Sequence, residues 1–371
     1  MRNYFVFELK RFLKDTKTLF MVLALFTFFG AVFYGIHNQG LGDQERKLAE
    51  ELNQTRILSQ YAQQYNRENE EELALGSNLS QQQAMLASQA NGITFDHPDW
   101  YIESGLELAQ LRLEMHENES FSELPTSLLP KENMMHRDLV ELKAIQENSI
   151  SVMENSESAA GFIRESLFLF GLLAFGYLLV FASDILMDDF EHGTMLESYP
   201  VTLLQKYASK LIIYSTGVLT ITGLTMGIAA AIVSLVWGIG NFNYPIVLYL
   251  LGDFKVISLL GYILLFLLYY FVLAIHIILL AMILNRYLKN NIATIIVGLV
   301  LFIIPYLYPP IEYYLRFLPF YYYNMAYLFN GQFGIDISHF MDIGMGMLML
   351  SLYSILLTYL IFRKGKRQTT I

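Results

Sequence analysis

The densest run of groups able to do chemistry is Asp188-Asp189-Phe190-Glu191-His192-Gly193-Thr194. Carboxylates beside an imidazole can bind a metal, move a proton or pair with a cation. The zinc-hydrolase pattern His-Glu-x-x-His needs a second histidine one helical turn on, and Glu191-His192 lacks it. The seven histidines are scattered without ligand spacing, so no metal site and no catalytic residues are expected. No Gly-x-x-x-x-Gly-Lys-Ser/Thr loop is present to cradle ATP phosphates, and no Gly-x-Ser-x-Gly elbow to present a nucleophile. The absence of cysteine excludes disulfides, thiolate metal sites and thiol catalysis. His276 lies inside an apolar run, where an ionisable side chain is a candidate polar functional site. The plainer reading is a neutral imidazole bonded to a carbonyl or a tyrosine hydroxyl. One lone histidine is too little for an intramembrane enzyme, and the chain is expected not to be an enzyme.

These residues sit in a chain built for a bilayer. Of 371 residues, 54% are apolar and only 16% charged, with mean hydropathy +0.40. Soluble domains average about 25% charged residues. A spanning helix needs about 20 apolar residues, and six windows qualify: Thr18–Ile36, Phe162–Ala182, Leu211–Trp237, Val256–Leu284, Ile292–Pro309 and Phe340–Phe362. The first is long for a signal peptide, and no small-x-small cleavage site follows Phe33-Tyr34-Gly35. The expected fold is an all-α integral membrane protein of six spans.

Charge supports the even number. Arg2, Lys10, Arg11, Lys14 and Lys17 precede the first span, and Arg363, Lys364, Lys366 and Arg367 follow the last. Lys206 and Lys210 lie in the second connection and Arg286 and Lys289 in the fourth. With six spans these places share one side, which the positive-inside rule makes cytoplasmic. Both termini are then cytoplasmic, and a bacterial inner or plasma membrane is the expected location.

Residues 1–17 read as an interfacial helix. Phe5, Leu9, Phe12 and Leu13 form its apolar face, while Glu8, Lys10, Arg11 and Lys14 lie largely opposite. After the first span (18–36), residues 37–161 form a polar insert with 22 acidic and 8 basic residues, a net charge of −14, against +4 for the remainder. No basic patch suits nucleic acid. The insert is expected to be an extracytoplasmic, mostly helical domain. Helical patterns cover Asp43–Leu75 and Lys131–Ser158, with turns signalled by Asn91-Gly92, His97-Pro98 and Pro125. Residues 162–371 carry the other spans, with a polar connection at 183–210. An aromatic region at 306–339 is expected to form outer interfacial or re-entrant helices, since 306–333 alone hold twelve Tyr or Phe among helix-breaking prolines. Gly223 and Gly227 form a Gly-x-x-x-Gly in the third span, a candidate contact within the chain or with a second copy.

The connection at 183–210 is acidic on the side where basic residues prevail, which suggests a partner surface. Thr194 can cap a short helix and Pro200 end or start one, giving a cytoplasmic element able to dock in a partner's groove. Here the sequence resembles the ABC-2 type permease family, the membrane subunits of ABC exporters. The resemblance rests on an acidic stretch, then Glu191, Gly193 and Thr194, Pro200 a few residues on, and Lys210 leading into the third span. It extends to the interfacial N-terminal helix, the six spans and the outer elements before the last, about 250 residues without the insert. Many relatives have a short loop where the insert stands, while one branch, which includes sodium- or peptide-export permeases, has a large one.

The resemblance implies a half-transporter. Two copies, or this chain and a paralogue, would form the membrane pore. A separate ATPase subunit would bind ATP and Mg on the cytoplasmic side, so this chain carries no cofactor. Asp188, Asp189 and Glu191 would pair with basic groups on that ATPase, and the helix bearing Phe5, Leu9, Lys10, Arg11 and Phe12 would move with the connection. An amphipathic or hydrophobic cargo, such as a peptide, an antimicrobial or a lipid, would leave the cell. The competing expectation is a signalling or mechanotransmission protein whose outer helices sense a compound or bind a partner without transport.

Overall fold

A computed structural model describes residues 2–65, 70–117, 129–148, 156–191, 201–307 and 315–368. The chain opens with α1 (Arg2–Lys14) and turns at Asp15, whose carboxylate caps the next helix through the Lys17 N–H. α2 (Thr16–Gln39) is, among the described residues, the first of five helices long and apolar enough to cross a membrane; the others are α7 (Ala159–Ala182), α9 (Leu203–Trp237), α10 (Leu259–Leu288) and α14 (Ile343–Gln368). At 1.5 Å per residue, the 24 residues of α2 or α7 span about 36 Å, more than a hydrocarbon core of about 30 Å. α11 (Asn291–Leu307) is shorter, 17 residues, with Pro305 inside its last turn.

α7 and α10 form the centre of the bundle. Leu178, Leu179 and Ala174 of α7, and Tyr269, Tyr270, Leu273, Ala274 and Ile277 of α10, are fully buried. α2, α9 and α14 surround them and turn Leu19, Phe20, Leu224, Leu235, Ile355 and Leu356 outward. An apolar belt of this extent would be unstable in water and is satisfied by lipid.

The helices run between two ends. One end carries the insert: α3 (Gln44–Tyr65), α4 (Glu70–Thr94), α5 (Pro98–Glu117) and α6 (Glu132–Asn148). Leu48, Leu86, Ile93 and Leu108 join α3, α4 and α5 in an apolar seam. Asn91-Gly92 does not make the expected turn, because α4 continues to Thr94. Gly92 serves close packing instead: a Cβ there would stand 2.8 Å from the Tyr101 backbone nitrogen on α5. The chain reverses at Asp96, and Pro98 begins α5, where a missing N–H costs nothing. Pro125 and Glu68 lie outside the described residues, while Glu70, Glu71 and Glu72 open α4.

The expectation of a purely α fold needs one correction. β1 (Pro245–Leu250) and β2 (Asp253–Ser258) form an antiparallel hairpin, with Leu248 opposite Lys255. Its two turn residues, Leu251 and Gly252, both have positive φ, as the twist of a tight hairpin requires. The fourth span therefore begins at Leu259, capped by Ser258, and not at Val256. α6 lies over the hairpin: His136 stacks on Phe254, and Ile145 packs with Tyr244. Between α11 and α14 the chain makes single turns of 3-10 helix at Leu315–Phe317 and Pro319–Tyr322 and two short helices, α12 (Met325–Phe329) and α13 (Gln332–Asp336). Asn133 on α6 donates to the Asn330 carbonyl at 3.3 Å, placing this aromatic region at the insert end.

Candidate functional site

The other end of the bundle is organised around the connection that follows α7. Ser183 to Leu186 form tight turns, leading to α8 (Met187–Glu191). Three side chains from distant parts of the chain hold this connection. Lys17, at the start of α2, places Nζ 2.6 Å from Asp184 Oδ1 and 3.2 Å from Ser183 Oγ. Lys210 of α9 is 1% exposed, and its Nζ donates to the Ile185 carbonyl at 2.8 Å and to Asp189 Oδ1 at 2.6 Å. Asn285 of α10 donates to the Ser183 carbonyl at 2.7 Å and accepts from the Leu186 N–H at 3.2 Å. It also donates to Thr294 Oγ1 on α11 at 2.8 Å. A buried ammonium is tolerated only where a counter-charge and further acceptors satisfy it, and Lys210 has both.

α1 closes over this knot. Phe12 is buried edge-to-face against Phe181 and Tyr214, and it reaches α9 where Gly217 leaves room. A Cβ at Gly217 would stand 2.5 Å from the Phe12 ring. The face of α1 that packs on the bundle is Tyr4, Phe5, Glu8 and Phe12, while Leu9 and Leu13 of the expected apolar face turn outward. Glu8 can be buried because the Tyr4 hydroxyl donates to it at 2.6 Å and Arg11 stands 3.9 Å away. Burial and the Glu8 carboxylate push the Tyr4 hydroxyl pKa up. Val6, Leu9 and Leu13 face outward, Leu13 with 68% of its surface free, and Lys10 is exposed beside them.

The acidic residues therefore divide. Asp189 points into the bundle and is paired with Lys210. Asp188 and Glu191 occupy α8, and Gly193, Thr194 and Pro200 lie outside the described residues. The helix that follows is capped at Thr202: its hydroxyl accepts from the Gln205 N–H while its own N–H donates to the Gln205 side chain. Lys17, Ser183, Asp184, Asn285 and Thr294 were missed as site residues. In the sequence Lys17 is only one of several N-terminal charges, and nothing local singles out Asn285.

His276 lies far from this knot. Its Nε2 is 3.0 Å from the Tyr323 hydroxyl and its Nδ1 3.3 Å from Ser354 Oγ, which itself donates to the Leu350 carbonyl. The consistent tautomer carries its proton on Nδ1 and accepts from Tyr323. Tyr323 stacks on Phe175 at 4.7 Å, and Phe175 on Phe302 at 4.9 Å. This column ties α7, α10, α11 and α14 to the aromatic turns. A Cβ at Gly223 or Gly227 would meet nothing within 4 Å among the described residues. Neither position therefore marks a close approach of two described helices. Among the described residues no cluster of His, Asp and Glu could hold a metal ion.

Fold and site together define a multi-pass, predominantly α-helical membrane protein in which one inter-helix connection is clamped by polar side chains of several helices. Comparison with protein-family models, curated proteins and solved structures gave no match.

Proposed function

We propose that this protein is the membrane subunit of an ATP-driven exporter of the ABC-2 type, working with a separate ATPase and with a second permease copy or paralogue. The observation that carries the reading is the clamped connection. Lys17, Lys210 and Asn285 join the 183–189 backbone to α2, α9, α10 and, through Thr294, α11. A push on α8 would reach four membrane helices and α1 together, which is what a coupling element must do. Asp188 and Glu191 are the acids assigned to the ATPase, and Asp189 holds the element to α9. The absence of a phosphate-binding loop from the sequence agrees with ATP hydrolysis on a partner.

The six-crossing topology belongs to this reading. Thr294 of α11 bonds Asn285 at the clamped end, and Tyr306 of the same helix receives a bond from Asn324 at the insert end. In this reading α11, though short, is the sixth crossing, and these two bonds support it. The clamped end, with α1 and the last turns of α14, would face the cytoplasm of a bacterial cell and the insert the outside. An apolar or amphipathic cargo suits the aromatic outer layer.

A mild-detergent pull-down of the tagged chain from its native membrane tests the assignment. A stoichiometric P-loop ATPase is expected. A folded, monodisperse sample without one would overturn it in favour of a sensing or structural membrane protein. Within a complex, Glu191→Lys is expected to abolish stimulation of ATP hydrolysis by cargo while leaving the thermal midpoint unchanged; unaltered stimulation would remove Glu191 from the coupling role.

A further inference from the structure

The insert is polar, with a net charge of −14, yet large aromatic rings stand in the open on it. Phe95 is 63% exposed and Trp100 48%, and among the described residues no other Phe, Tyr or Trp of the insert is exposed. Both belong to the turn between α4 and α5, where every residue from Thr94 to Trp100 is exposed. The turn is built to hold its shape. Asp96 takes the left-handed conformation, φ 54°, while the Phe95 N–H donates to the Asn91 carbonyl at 2.9 Å and the His97 N–H to the Gly92 carbonyl at 2.8 Å. The His97 ring lies 4.4 Å from that of Trp100. Because α4 and α5 touch at Gly92, the rings have no space between the helices to fold back into.

Packing on either side fixes the depth of this turn. Tyr101 and Ile102, which follow it, pack with Tyr244 and Ile145. The Tyr244 carbonyl accepts from the Leu259 N–H at 3.0 Å, so Tyr244 marks the level at which α10 begins. Nearby in the chain, the end of α9 meets the start of α7, where the Ala159 N–H donates to the Gly238 carbonyl at 3.0 Å. Ile93, just before the turn, packs with Leu48 near the start of α3. α3 follows α2 closely, and a Cβ at Gly42 between them would stand 3.1 Å from the Glu165 carboxylate of α7. The turn thus lies level with the insert ends of α2, α7 and α10, and no described residue covers its rings. At that depth, a surface not covered by protein meets the headgroup layer of the bilayer.

The residue types suit that layer. A tryptophan ring joins an apolar body to a polar N–H and is enriched at membrane–water boundaries. Asp96 and Asp99 flank the rings and are exposed. They would repel anionic headgroups and attract ammonium ones, and quaternary ammonium also binds aromatic faces. We propose that the α4–α5 turn is a membrane anchor, with Phe95 and Trp100 seated in a headgroup layer of zwitterionic phospholipid. The insert then rests on the bilayer at a point separate from its connections to α2 and α7. The anchor does not depend on the exporter reading.

The test uses the full chain with Trp237→Phe, which leaves Trp100 as the single tryptophan and keeps a ring against Phe33. The protein is placed in phosphatidylcholine nanodiscs, whose faces are both open to water. Trp100 emission is expected to shift to shorter wavelength than that of indole in water and to resist acrylamide. Phosphatidylcholine brominated near the glycerol end of its chains should quench it more than lipid brominated near the methyl end. At equal minor fraction, brominated phosphatidylcholine should also quench more than brominated phosphatidylglycerol, and Asp96→Asn with Asp99→Asn should remove that difference. A water-like emission quenched by acrylamide and not by brominated lipid would overturn the anchor. So would a ring reached by neither quencher, because a second copy or another protein would then cover the turn. Equal quenching by the two brominated headgroup types would overturn the zwitterionic assignment. If Trp237→Phe does not fold, the difference between the parent chain and Trp100→Phe reads the same ring.

Discussion

The two ends of the bundle are closed by different physics. At the clamped end a few polar groups carry the connection: one ammonium, Lys210, satisfies a carbonyl and a carboxylate, and one amide, Asn285, bridges three segments. At the insert end closure is spread over rings and backbone caps. Tyr322, Tyr323 and Phe329 pack on α10, and the Asp342 carboxylate accepts from Gly252 of the hairpin and Met345 of α14, both at 2.8 Å. Charge pairs in a dry site are specific and fail when one partner goes. Ring packing is tolerant, because many contacts of a few tenths of a kcal/mol share the load. A coupling end benefits from the first property and a sealing end from the second.

Removing Lys210 should be the severest way to break this contrast. Lys210→Met leaves Asp189 and the Ile185 carbonyl without their partner, at a cost of about 3–5 kcal/mol. It should lower the thermal midpoint of the detergent-solubilised protein markedly, and adding Asp189→Asn should recover part of the loss. A Lys210→Met midpoint equal to wild type would show that the pair does not hold the connection.

A smaller effect, about 2 kcal/mol, is expected from Gly217→Val, which drives a side chain into the Phe12 ring. The loss should appear as faster amide exchange in α1 with little change in α7. Unchanged protection in α1 would mean that Phe12 does not anchor it. At the insert end, Tyr269→Phe removes the hydroxyl that donates to the Tyr322 carbonyl at 2.8 Å. Its cost should be about 1 kcal/mol; a loss as large as that of Lys210→Met would erase the distinction between the ends. The smallest change belongs to the insert surface. Arg46 and Glu50 are 3.0 Å apart but 55% and 63% exposed, so Arg46→Gln should alter stability by no more than about 0.5 kcal/mol, in a salt-sensitive way. A change above about 1 kcal/mol would mean that this pair is not a simple solvated one.

How far each feature could be read from the residues depended on how local its cause is. Five apolar windows coincide with long helices because desolvation of a spanning helix is a sum over its own side chains. The hairpin was not anticipated. Pro245–Leu250 and Asp253–Ser258 read as an apolar approach to the fourth span, and their turn is Leu-Gly, not the Asn-Gly or Asp-Gly that signals a hairpin. On α1, hydropathy assigned Glu8 to the water face, but a tyrosine one turn away lets it be buried. Gly92 looked like a turn and proved to be a close approach of two helices. In each case a tertiary neighbour outweighed the local preference.

The sequence by itself determined that the chain lies in a membrane, where its main spans run, that the polar mass falls between the first two, and that no phosphate-binding loop is present. These follow from composition and from periodicity within one helix. The tertiary structure alone decided that Asp189 faces inward while Lys17 reaches Asp184, 167 positions away, that Asn285 joins three segments, and that a crevice opens beside them. Such contacts depend on which helices become neighbours, and that is set by packing over the whole bundle, where no local pattern records it.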